Sequence, residues 1–133
     1  MADVSTIKTA ADAKVTRLTP MALAANVQRS VNFYQLLGME LRGQLKTSSG
    51  DLQWGHVASE RAELMLARAT EPVVPSQHAV LFYLYSPNLA ALREHLISAG
   101  IRVSPFTYPD YMPKGEVRVE DPDGYTLLIG QAG

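Results

Sequence analysis

Two stretches of the chain carry apolar residues at helical spacing. In NVQRSVNFYQLLG, from Asn26 to Gly38, Val27, Val31, Tyr34 and Leu37 fall on one face; in NLAALREHLISAG, from Asn88 to Gly100, Leu89, Leu92, Leu96 and Ala99 do the same. Each is bracketed by an Asn able to cap the first turn and a Gly able to close the last. The two units lie 62 residues apart, which points to an internal duplication.

Around each helix the pattern changes to short runs of strand character. MALAA precedes the first helix, and Met39 to Thr47, Leu52 to Ser59 and Ala62 to Arg68 follow it. VLFYLY precedes the second, followed by Ile101 to Tyr108, Glu116 to Glu120 and Thr126 to Gln131. Ser48 to Asp51 and Asp121-Pro122-Asp123-Gly124 supply turns. Pro72 and Pro75 interrupt residues 70–77, which read as a linker. The predicted organisation is an N-terminal tail over 1–15 and one α+β domain over 16–131, split into modules 16–69 and 78–131. Two helices cover only one side of eight short strands, so the concave side is left for a ligand or a second chain.

Composition narrows the choices. Twelve Lys and Arg against thirteen Asp and Glu give a net charge of -1, with no basic stripe suited to nucleic acid. No cysteine is present, which removes disulfides, thiolate catalysis and cysteine-based metal sites and suits the cytoplasm. No run has the length of a membrane span, so no membrane partner is expected. Phosphate loops, nucleophile elbows and serine triads find no support in the spacing. Asp121 and Asp123 resemble a catalytic carboxylate pair, but their place beside Pro122 and Gly124 reads as turn chemistry.

Three segments taken in order, VQRSVNFYQLLGMEL, AELML and VRVEDPDGYTLLIGQ, resemble the vicinal oxygen chelate superfamily, which holds glyoxalases, bleomycin-resistance proteins and extradiol dioxygenases. The resemblance covers Thr16 to Gln131. It implies two β-α-β-β-β modules forming a half-open barrel around a pocket, and a homodimer. In the metal-dependent members four inward side chains hold a divalent cation. The corresponding positions here are Thr19, Glu63, Leu81 and Leu128, one plausible ligand among four. No metal and no cofactor are therefore expected.

The resemblance to bleomycin-binding members instead draws attention to Trp54, at a strand position where those relatives place an aromatic ring against the drug. His56 shares the parity of Trp54 and can approach Glu63 across a hairpin, though two ligands alone make a weak metal site. Met65 shares the parity of Glu63, and Tyr83 and Tyr85 share that of Leu81, so these side chains are candidates to wall an apolar pocket; each taken alone reads more readily as core. Glu63 is expected either to anchor a ligand's amine or guanidine, or to meet water or Arg68 at the rim. Tyr108, Tyr111 and Met112 lie in FTYPDYMPKG, a loop read as part of the pocket mouth or as a plain connection anchored on the sheet edge. His78 points away from the family metal position, and His95 faces solvent. The function expected is metal-free binding of a small aromatic or cationic compound, at a pocket built by two chains and without catalysis. The alternative is a metal-dependent lyase, isomerase or dioxygenase with its ligands in other positions.

Overall fold

The computed structural model describes residues 13–133. The expected tail, 1–15, lies outside the described residues for its first twelve positions. The elements are β1 (Met21–Ala24), α1 (Val27–Leu36), β2 (Glu40–Lys46), β3 (Leu52–Ser59), β4 (Ala62–Arg68), β5 (Phe82–Ser86), α2 (Leu89–Ser98), β6 (Glu116–Glu120) and β7 (Thr126–Gln131).

The halves follow one plan. β1, β4, β3 and β2 lie side by side in one sheet, and β5, β7 and β6 in another. Within each sheet the first strand runs parallel to the last, β1 along β4 and β5 along β7, and the remaining pairs are antiparallel. The side chain of Asn26 accepts from the Arg29 N–H at 3.0 Å, and that of Asn88 from the Ala91 N–H at 3.2 Å. Both helices thus start by satisfying an orphan first-turn donor. The chain then turns left-handed at Gly38 and at Gly100.

Alternation along the strands sends one face to the core. Ala22, Ala24, Val57, Leu64 and Leu66 of the first sheet join Val27, Val31 and Tyr34 of α1, and Val117, Val119, Leu127 and Ile129 of the second sheet belong to the same cluster. Burying each larger aliphatic side chain contributes about 1.5–3 kcal/mol. Ala99, expected on the apolar stripe of α2, is exposed instead, because it is the C-cap residue rather than part of the helix.

One predicted strand is reduced. Ile101 to Tyr108 makes only isolated bridges, Val103 to Val119 and Thr107 to Glu116. Pro105 sits between them without an N–H to offer the ladder, so pairing cannot run continuously along β6. The second sheet therefore has three strands where the repeat pattern predicts four.

The Asp121 to Gly124 turn has a larger part than turn chemistry alone. Asp121 Oδ2 accepts from the Tyr34 hydroxyl at 2.8 Å, and Asp123 accepts from Ser30 Oγ at 3.1 Å and from the Ala25 N–H at 2.9 Å. Both carboxylates are buried. The turn between β6 and β7 is thereby fastened to the start of α1, coupling the two halves through a satisfied polar network. Burial raises the pKa of Asp121, and raises that of Tyr34 further with the help of the Asp121 charge.

Candidate functional site

In the first sheet, Gly55 and Val57 face α1, so Trp54 and His56 point the opposite way. The register of β3 and β4 sets His56 beside Met65 and Trp54 beside Ala67. Trp54 and His56 have ring centroids 6.3 Å apart. A methyl group on Gly43 would stand 3.2 Å from two atoms of the Trp54 ring, so the missing side chain lets the indole cross β2 against the backbone. Exposed Leu45 lies beside Trp54 in register, and exposed Met21 beside Met65. The result is an open apolar face with one large ring.

Glu63 closes one end of that face. Arg17 grips it with two guanidinium nitrogens, the Nε at 2.8 Å, while His56 Nε2 lies 3.1 Å from Oε1. These contacts, the Arg17 hydrogen bond foremost, hold the Glu63 carboxylate below the usual range. Of the partners considered from sequence, Arg68 makes no ion pair with Glu63, and the guanidine expected of a ligand is supplied by Arg17. Arg17 precedes the first strand, and nothing in its spacing marks it out.

In the second sheet the side opposite the core carries Tyr83, Tyr85, Leu128, Gly130 and Glu116. Tyr83 lies 5.2 Å from Tyr85 and 6.4 Å from Tyr111, centroid to centroid. The loop after the bridge at Thr107 lies over this face. A methyl on Gly130 would come within 2.6 Å of Met112 Cε, and the Tyr111 hydroxyl reaches the two Glu116 oxygens at 2.8 and 3.1 Å. Burial and the nearby Glu116 carboxylate push Tyr83 up to about 12. Tyr108 stacks on Phe106 at 6.4 Å with its ring exposed, and Leu81 is exposed just before β5.

The candidate residues thus gather into two groups: Trp54, His56, Glu63 and Met65 on one sheet, Tyr83 and Tyr111 on the other. Among the described residues no hydrogen bond, ion pair or ring contact joins these groups. Neither of two clefts, of about 250 and 680 Å³, is lined by any of them. The first sits at the start of α1 and the second between Phe33 and the 100–105 segment. Sequence reading missed Glu116, an acidic residue in an alternating strand whose parity with exposed Arg118 and Glu120 suggests a solvated side chain. His78 stacks on Tyr125 at 3.9 Å rather than facing either group, and His95 is exposed.

The donor set does not fit the divalent cation that the metal-dependent relatives carry. Leu81 and Leu128 offer no lone pair, and Glu63 already serves Arg17 and His56. Among the described residues no three His, Asp, Glu or Cys side chains converge.

This fold, with its paired half-repeats and open faces, defines a class. A sequence model of the glyoxalase/bleomycin resistance protein/dioxygenase superfamily matches residues 18–129, and the chain belongs to that superfamily. Among solved structures it is similar to a bleomycin-binding protein complexed with bleomycin, at 17% identity and a TM-score of 0.69 over 90% of this chain and 100% of that one. It is similar to an antibiotic binding protein from Streptomyces sp. CB03234, at 17% identity and 0.63 over 90% and 99%. A glyoxalase family protein from Enterococcus faecalis gives 22% identity and 0.66 over 89% and 97%. The superfamily thus includes proteins that bind antibiotics as well as enzymes. A search of curated proteins finds no match. No helix among the described residues is long and apolar enough to cross a membrane.

Proposed function

We propose that this chain is a metal-free binding protein that sequesters a small aromatic or cationic compound, as a cytoplasmic homodimer in which a second copy closes the open faces. The observation that carries the reading is the Trp54 indole, laid across Gly43 and bordered by exposed Leu45 and Met21. A ring in that position offers area for stacking without first leaving a core. In this reading Met65 extends the apolar floor, and His56 and Glu63 orient polar groups of the ligand. Leu81, Tyr83, Tyr108 and Tyr111 form the opposing wall. Family membership and the antibiotic-binding structural neighbours support the binding class.

Trp54 is the single tryptophan, so its emission reports on this face alone. Titration with a bleomycin-type glycopeptide and with planar aromatic cations is expected to quench that emission and release or absorb heat in a calorimeter. Absence of both responses at high micromolar concentration refutes the reading. Sedimentation as a single 14.5 kDa species refutes the dimer. The rival reading, a metal-dependent lyase, isomerase or dioxygenase, draws on the His56–Glu63 contact. It requires roughly half an equivalent or more of zinc, nickel, manganese or iron in protein purified without chelator.

A further inference from the structure

Glu116 is the side chain whose surroundings least match its charge. It is only 5% exposed, yet its carboxylate receives one side-chain donor, the Tyr111 hydroxyl, and no Lys, Arg or His among the described residues forms an ion pair with it. The other charged residues on its strand face, Arg118 and Glu120, are exposed, and Arg118 reaches toward Thr126 instead. Buried carboxylates are ordinarily paired, because one hydrogen bond does not replace the water that a full charge has lost. Beside it the Tyr83 hydroxyl is buried with no hydrogen-bond partner. That hydroxyl lies near enough for the Glu116 carboxylate to raise its pKa, so the groups meeting Glu116 are neutral hydroxyls, and among the described residues the carboxylate has no counter-charge.

The side chains that meet this carboxylate are tyrosines, reaching it through their hydroxyls. Tyr83 and Tyr111 stand at 67° to one another, and Tyr85 continues the ring surface outward. Faces of electron-rich rings near a carboxylate attract a cation bearing alkyl groups, since ring quadrupole and charge act in the same direction. Tyr111 is the movable member: 65% exposed, it stands in a proline-flanked loop between Pro109 and Pro113. Its hydroxyl occupies the position a cation would take. The first-half alternative, Glu63, already has its guanidinium.

We propose that Glu116, walled by Tyr83 and roofed by Tyr111, anchors an organic ammonium ion, with Tyr111 turning away from the carboxylate as the cation arrives. This rests on the binding reading above and moves its charge-selecting group from Glu63 to Glu116.

Choline and 3,3-dimethylbutan-1-ol, nearly identical in shape and differing in charge, are the probes. Calorimetry or NMR titration is expected to give at least about tenfold tighter binding of choline, as a desolvated cation–ring contact beside a carboxylate should. Glu116→Gln should abolish the preference, while Tyr111→Phe should retain it. Should the Gln variant fail to fold, the wild-type protein still decides. Choline must shift the Tyr83 and Tyr111 ring resonances and the Glu116 carboxylate carbon. Equal binding of the two probes, shifts confined to Trp54 or Glu63, or a choline preference that survives in Glu116→Gln each overturn the proposal. So does loss of dimer in ligand-free Glu116→Gln, which would assign the carboxylate to a basic residue of a second copy. Trp54→Ala separates the two ideas: read by calorimetry, it should abolish binding of planar compounds yet leave the choline preference intact.

Discussion

The two halves share a frame and differ in what they do with its open side. In the first, the face opposite α1 is bare: Trp54 lies on it, Leu45 and Met21 are exposed, and Glu63 is neutralised from within by Arg17 and contacted by His56. In the second, a loop of the same half covers the corresponding face, Met112 filling the space above Gly130 and Tyr111 holding a buried carboxylate that makes no ion pair among the described residues. A duplicated frame fixes backbone directions and little else, and single side chains then decide whether a face stays open or is filled. Glycine is the device in both cases. At Gly43 the absent side chain admits a ring from a neighbouring strand, and at Gly130 it admits a loop.

The comparison presumes that the halves fold as one body, and the turn that joins them gives the largest expected effect. Asp123→Ala strands the Ser30 hydroxyl, which is fully buried, and the Ala25 N–H. A loss of about 2 kcal/mol is expected from one orphaned buried hydroxyl and one part-buried N–H. The urea midpoint should fall and the transition stay single; an unchanged midpoint would mean that the turn does not couple the halves.

Next in size is Gly130→Ala, which makes the covered face resemble the bare one. Its methyl cannot share space with the end of the Met112 side chain, so Met112 must move, and the loop it anchors is expected to loosen with it, at about 1 kcal/mol. Because the Gln131 N–H donates to the Gly115 carbonyl at 3.0 Å, amide exchange at Gln131 should accelerate. Unaltered protection there would show that the side chain of Met112 simply shifts and the loop stays.

The degree to which these differences can be read from sequence follows from how local their causes are. Strands such as Leu52–Ser59 and Ala62–Arg68 follow from alternation and turn residues, and the approach of His56 to Glu63 follows from parity across one hairpin. The helix caps at Asn26 and Asn88 are local in the same sense. Arg17 is not: it meets Glu63 across 46 residues, and an isolated arginine near the N-terminus gives no sign of its partner. Glu116 deceived for a different reason. Its strand alternates as a half-exposed strand should, and only the loop folded over the near end of β6 turns a nominally solvated position into a buried one. The expected fourth strand of the second half failed where Pro105 outweighed the repeat.

A smaller effect is expected where the bare face is altered at its floor. Gly43→Ala sets a methyl 3.2 Å from the Trp54 ring, tilting the indole away from the sheet. Stability should change by less than about 1 kcal/mol. Affinity for planar compounds should fall about three- to tenfold, since stacking geometry contributes roughly 0.5–1.5 kcal/mol beyond area. The wavelength of Trp54 emission should move with it. A changed spectrum with undiminished affinity would remove the flat ring from the binding argument.

The smallest effect concerns the acid side of the stability profile. Glu63 is held below its ordinary value of 4.5, chiefly by the Arg17 hydrogen bond. A carboxylate depressed in the folded state adds stability above the unfolded value, and that contribution is lost as pH falls through the lower, folded one. Arg17→Ala should return the Glu63 carboxyl carbon titration toward its ordinary midpoint and make the loss of stability below that pH shallower. Both partners are partly in water, so salt should weaken the difference. Among the described residues no cation pairs with the carboxylate of the covered face, and the same arginine variant should leave the Tyr83 titration near 12 where it stands. Movement of both titrations together would show that the two faces are electrostatically one site, against the division drawn between them.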